Sequence, residues 1–171
     1  YIVRSSDILQ ESSALEFNGT GDYVDCGLDS SLDFTGKNTF TLEAWVKTTQ
    51  DAEIRDIIHF GNLEVALSKT ATNRWQIVVR DNTTSRTVDS DNELTNDMWM
   101  HVVGVADAGA LSLYVDGVKQ SGSSNMTSAV VASGGDQTYS IGAQAGFFCF
   151  NGTIDDVRIY NRALDAAEVY S

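Results

Sequence analysis

Phe150-Asn151-Gly152-Thr153-Ile154-Asp155-Asp156-Val157-Arg158-Ile159-Tyr160 is the stretch on which the reading of this chain turns. A polar turn opens it, and strand-type sequence rich in Val and Ile follows. The opening tetrapeptide occurs once more, near the other end, as Phe17-Asn18-Gly19-Thr20. In both copies an Asp follows at the same offset, Asp22 and Asp155, and a Val two residues later, Val24 and Val157. One reading is that strands from the two ends lie side by side and bring these turns together. The competing reading is that two short polar turns are alike by chance.

Between the two copies the pattern is one of strands. In Phe40-Thr41-Leu42-Glu43-Ala44-Trp45-Val46-Lys47, Phe, Leu, Ala and Val share one face at period two, and Trp45 lies on the other with Glu43 and Lys47. Trp75 to Arg80, Trp99 to Ala106, Leu111 to Val115 and Ile154 to Tyr160 behave similarly. Asp116-Gly117 is a tight hairpin turn signal. Strand-like runs recur about every ten to fifteen residues, which predicts an all-β, two-sheet antiparallel sandwich. One short helical turn is expected near the end, where Asp165-Ala166-Ala167-Glu168 spells a capping box. Residues 1–13 read as a linker or first irregular strand, and 14–171 as one domain.

Composition bounds the function. The 171 residues are 42% hydrophobic and 20% charged, enough for one sizeable core. No apolar run reaches the roughly 18 residues of a spanning helix, so membrane insertion is not expected. A net charge of −13 leaves no attraction for nucleic acid or an anionic membrane. The 17 Asp and 10 Asn outnumber the 7 Glu. Asp and Asn favour turns and also supply the oxygen ligands of hard cations. An acidic, loop-rich surface and a bound calcium both fit.

No catalytic constellation stands out. His59 and His101 sit in strand-like runs without a GxSxG or HExxH motif. The acids of Asp89-Ser90-Asp91-Asn92-Glu93 read as a solvated loop. Asp22 and Asp155 would supply two carboxylates to a calcium ion at the paired turns; otherwise they merely cap those turns. For ligand binding the candidates are Trp75, Arg80, Phe147 and Phe148, each weighed against a place in the core. Cys26 ends the first terminal strand and Cys149 precedes the last one; if those strands are neighbours a disulfide between them is expected, with two buried thiols as the alternative.

Three segments together resemble a known family. They are Ala14-Leu15-Glu16-Phe17-Asn18-Gly19 with the Phe40 to Lys47 run, Trp99-Met100-His101-Val102-Val103 with Leu113 to Gly117, and Phe150 to Leu164. In this order they resemble laminin-G-like jelly-roll domains of the concanavalin-A-like lectin/glucanase superfamily. The resemblance implies a concanavalin-A-like jelly roll, commonly secreted and appended to larger proteins, often glycan-binding and often holding a structural calcium. It favours Asp22 and Asp155 as metal ligands, completed by the Gly19 carbonyl and the Asn38-Thr39 turn. The paired-acid ExDxE strand of the glucanases is missing. The expectation is a non-catalytic, extracellular or cell-surface module that binds a polysaccharide or glycan. It is expected to be a monomeric domain, excised from a larger protein. A structural or adhesive spacer is the alternative, with a lyase or hydrolase behind it. Residues 48–75 and 119–148 match nothing diagnostic, and ligand specificity is expected there.

Overall fold

The alternating runs become strands. In the computed structural model, residues 14–61, 65–81, 84–130, 139–144 and 146–169 are described. The segment 1–13, read above as a linker, lies outside the described residues. In chain order the strands are β1 (Leu15–Asn18), β2 (Val24–Asp25), β3 (Phe40–Thr48), β4 (Arg55–Phe60), β5 (Val65–Lys69), β6 (Trp75–Asp81) and β7 (Thr84–Asp89). They continue as β8 (Met100–Asp107), β9 (Ala110–Val115), β10 (Val118–Lys119), β11 (Ser124–Asn125), β12 (Tyr139–Ile141) and β13 (Asn151–Tyr160). One helical turn, α1 (Ala166–Val169), follows.

All pairings are antiparallel. One sheet runs β1-β13-β3-β8-β9-β10, with β11 also on β9, and the other runs β2-β12-β4-β5-β6-β7. The expected jelly-roll sandwich is therefore present. β1 lies beside β13, with Asn18 opposite Asn151 and Leu15 opposite Ile154, so the two Phe-Asn-Gly-Thr turns do meet. Asp116 (φ 49°) and Gly117 (φ 75°) join β9 to β10 with the two positive φ values of a type I′ turn. Asp165 caps α1: its Oδ1 accepts the Ala167 and Glu168 N–H groups at 2.9 Å, while Glu168 Oε2 accepts the Asp165 N–H at 3.0 Å.

The core lies between the sheets. Phe40, Leu42, Ala44 and Val46 of β3 face Ile58 and Phe60 of β4, Leu67 of β5 and Ile77 and Val79 of β6. A smaller cluster on the outside of the seven-stranded sheet packs Leu164 and Val169 on Val103, Val105 and Tyr114.

Two expectations need correction here. Trp75 is 1% exposed and belongs to the core, not to a ligand platform. Pleating sends Trp75, Ile77 and Val79 inward and turns Gln76, Val78 and Arg80 outward. The disulfide is also absent, because Cys26 and Cys149 are free thiols. The chain leaves the seven-stranded sheet between β1 and β2, so the Cys26 N–H bonds the Tyr139 carbonyl (2.8 Å) beside β12. Cys149 leads into β13 of the other sheet, and pairing β1 with β13 does not juxtapose the two sulfurs. Burial, with the Asp25 charge, pushes the Cys26 thiol above its ordinary value.

Candidate functional site

The outward side chains of the six-stranded sheet form two adjacent rows. Register aligns Asp56, Ser68, Gln76 and Asp89 in one, and His59, Ala66, Val78 and Thr87 in the next. These rows floor a pocket of about 150 Å³, with Asp56, Ser68 and Gln76 polar and Ala66 and Val78 apolar. Ile54 and Phe148 complete its lining. Both are substantially exposed, Phe148 at 41%. Arg80 stands on the same face, opposite Ser85 and two residues past Val78.

Phe148 is held there at a cost. Gln144 and Phe147 exchange two 2.8 Å backbone hydrogen bonds, closing a tight turn. The chain then passes through Phe148 with φ 51°, a left-handed conformation that bulky residues rarely adopt. Such strain costs on the order of 1–3 kcal/mol and gathers at functional sites. The Phe148 carbonyl accepts the Asp56 N–H at 2.8 Å, fixing the loop to the start of β4. Phe147 is 71% exposed and does not belong to the pocket lining.

Two cations brace the rim. The Arg55 guanidinium donates to the carbonyls of Cys149 (2.6 Å) and Gly19 (3.2 Å) and to the Asp51 carboxylate (2.9 Å). The fully buried Lys69 donates to Asp51 Oδ1 (2.6 Å) and to the Glu53 carbonyl (2.8 Å). Burial works to raise the Asp51 carboxyl, but the hydrogen bonds from Lys69 and Arg55 outweigh it and hold it below the usual carboxylate range. The segment carrying Ile54 is thus tied to the segment carrying Phe148.

Under the pocket, Asp56 Oδ2 and His59 Nδ1 are 3.0 Å apart, and His59 Nε2 lies 2.7 Å from the Gly61 carbonyl. A carbonyl only accepts, so Nε2 carries a hydrogen. The Asp56–His59 contact therefore also holds a proton, and the pair has no net charge whichever partner owns it. Burial pushes the Asp56 carboxyl above its ordinary value, with the hydrogen bond and charge of His59 opposing.

A family model described as the concanavalin A-like lectin/glucanases superfamily matches residues 18–170. The chain belongs to this superfamily. No curated protein matches it. Among solved structures, this laminin-G-like domain is similar to the CBM40 of the Ruminococcus gnavus IT-sialidase, bound there to α2,3-sialyllactose. That match has a TM-score of 0.75 and 17% identity, covering 92% of this chain and 94% of that one. It is also similar to the leech intramolecular trans-sialidase, with TM-score 0.73, 17% identity, and 92% and 26% of the two chains covered. A third similar structure is NanB sialidase from Streptococcus pneumoniae, with TM-score 0.71, 16% identity, and 92% and 27% covered. At such identities the likeness is one of fold.

The calcium ligands expected for this laminin-G-like domain do not gather. Antiparallel pairing sends equal offsets from the two turns in opposite directions. Asp22 lies beyond the Asn18 end of β1, whereas Asp155 lies beyond its Leu15 end, opposite Trp45. Each carboxylate bonds a nearby backbone N–H instead, Asp22 that of Asn18 (3.1 Å) and Asp155 that of Asp156 (2.9 Å). Asn38 and Thr39 precede the far end of β3, roughly 26 Å along the strand from Thr48 and its partner Gly152. The Gly19 carbonyl already accepts from Arg55, a cation standing where a metal would have to sit. Among the described residues no three His, Cys, Asp or Glu side chains form a metal cluster. This set of five residues does not fit one ion.

On the opposite face of the laminin-G-like domain, Trp45 is 38% exposed and stacks on His101, with ring centroids 5.1 Å apart. There Glu43 Oε1 accepts from Arg158 and meets His101 Nε2, both at 2.9 Å. These charged groups are spent on one another, whereas the pocket of the six-stranded sheet sets Asp56, Ser68 and Gln76 beside a strained, exposed ring.

Two of the four expected ligand residues, Arg80 and Phe148, thus share the outer face of the six-stranded sheet. Ile54, Asp56, Ser68 and Gln76 were not singled out by sequence. Gln76 is outward only once the structure settles the parity of β6, and the adjacent Ile57 and Ile58 obscure Asp56 and His59. The register of β4 against β5 shifts between Asp56 and Ile58, and period-two reading does not cross such a bulge.

Proposed function

We propose that the chain is a non-catalytic carbohydrate-binding module of an extracellular or cell-surface protein, binding glycan on the outer face of its six-stranded sheet. The observation that carries this is the Phe148 pocket. It sets a strained aromatic and an aliphatic rim over a floor of carboxyl, hydroxyl and amide groups. A sugar ring offers an apolar C–H face to the rim and hydroxyls to the floor. Arg80 borders the same surface and is available to a longer glycan. The CBM40 similarity supports the reading, since that domain is described bound to a sialylated trisaccharide. Binding without turnover is favoured because Asp56 is the one carboxyl among the described lining residues, whereas glycoside hydrolysis uses a pair. Calcium has no part in the proposal.

The test is an affinity gel or glycan array with the wild type and Phe148→Gly. Glycine relieves the positive φ while deleting the ring, so stability should stay within about 1 kcal/mol. Affinity should fall at least about tenfold, equivalent to ~1.4 kcal/mol. No retardation of the wild type by any glycan would favour the spacer reading.

A further inference from the structure

On the pocket floor, Gln76 donates one amide N–H to Asp89 Oδ1 at 2.5 Å, which leaves its carbonyl oxygen and its second N–H open to a ligand. Asp56 presents a carboxyl whose Oδ2 is held by His59. Ser68 adds one hydroxyl. The floor thus mixes acceptors with neutral donors, which suits sugar hydroxyls that both donate and accept.

The cations near it are committed elsewhere or stand outside its lining. Among the described residues no Lys or Arg belongs to the lining. Lys69 is fully buried under the loop with its ammonium on Asp51, and Arg55 is committed to Asp51 and two carbonyls. Arg80 lies about 7 Å along β6 from Val78. The Asp56–His59 pair carries no net charge to attract an anion, and the whole chain stands at −13. Recognition of a carboxylate calls for charge-assisted donors, and the donors of this floor are neutral. The volume, about 150 Å³, falls below the roughly 300 Å³ where drug-sized sites begin, so one ring or a chain end is the unit read.

We infer that this pocket takes an uncharged sugar residue, a hexose or N-acetylhexosamine, and not a sialic or uronic acid. The inference rests on the glycan-binding reading above and departs from the sialylated ligand in the similar CBM40 structure.

The experiment pairs matched probes on affinity gels and by calorimetry. N-acetyllactosamine, galactan and mannan form the neutral arm; 3′-sialyllactose, polygalacturonate and alginate form the acidic arm. The inference expects at least one neutral probe to bind, at least tenfold tighter than any acidic one, with little change between 20 and about 300 mM salt. Asp56→Asn and the less buried Gln76→Ala should each weaken the neutral probe at least about threefold. Acidic probes bound preferentially, with affinity falling as salt rises, would overturn the inference and leave glycan binding standing. A neutral probe bound equally well by the wild type and both variants would also overturn it. Retention of no probe in either arm would overturn the glycan-binding reading itself and this inference with it.

Discussion

Gly19 and Gly152 occupy the same place in the repeated tetrapeptide, yet each is glycine for its own reason. Gly19 sits at φ 76°, and a Cβ there would come within 3.0 Å of the Asn151 side chain. Gly152 lies near the start of β13, between β1 and β3, where a Cβ would run into the Lys47 carbonyl oxygen of β3. That oxygen is backbone and cannot move aside without breaking the ladder. Gly152→Ala is therefore expected to destabilise by about 2 kcal/mol or more, read as a lower urea midpoint at unchanged slope. Phe148 is the complementary case. It keeps a conformation that glycine would take more easily, and the strain is retained because its ring lines the pocket.

Strand identity was legible wherever alternation was clean, as in β3, and the capping box of α1 and the hairpin at Asp116-Gly117 followed from local chemistry. The pairing of β1 with β13 was legible from the repeated turn. Its consequence for Asp22 and Asp155 was not, because the antiparallel direction separates what the repeat places at equal offsets. Trp75 was misplaced for a related reason. Val78 and Val79 are consecutive apolar residues, so the run from Trp75 to Arg80 does not declare which parity faces inward. The pocket joins Gln76 and Val78 of β6 to Ile54, Asp56, Ala66, Ser68 and Phe148, which lie in stretches without diagnostic pattern, and only the fold brings them together. If Asp22 and Asp155 are independent turn caps, their effects should add. Single Ala variants and the double variant, compared by urea unfolding, should agree with additivity within about 0.5 kcal/mol. A coupling above about 1 kcal/mol would mean that the two carboxylates share a partner.

For the molecule as a whole, the balance of its carboxyls governs acid stability. Asp29, Asp33, Asp51, Asp81 and Asp91 are held below their ordinary values, and Glu168 is lowered to about 2 by Arg162 and the Asp165 N–H. Asp56 is shifted the other way, by burial. The native state therefore binds fewer protons than the unfolded chain as pH falls through the range from about 4.5 to 2. Stability present above that range is lost within it. Acidification also relieves the repulsion behind a net charge of −13, so melts are best compared at high salt, where that contribution is screened. Under these conditions the melting temperature should drop between pH 5 and 2, and Asp51→Asn should flatten the drop. A wild-type melting temperature constant across that interval would contradict the balance drawn here.

The sandwich offers two outer faces, and the account assigns the ligand to one of them. Backbone amide NMR of the labelled domain, titrated with the tightest glycan from the array, distinguishes them directly. Shift changes should centre on Ile54, Ser68, Gln76 and Phe148, and leave Trp45, His101 and Asp116 undisturbed. Changes centred on Trp45 and His101, or none at saturating glycan, would contradict it.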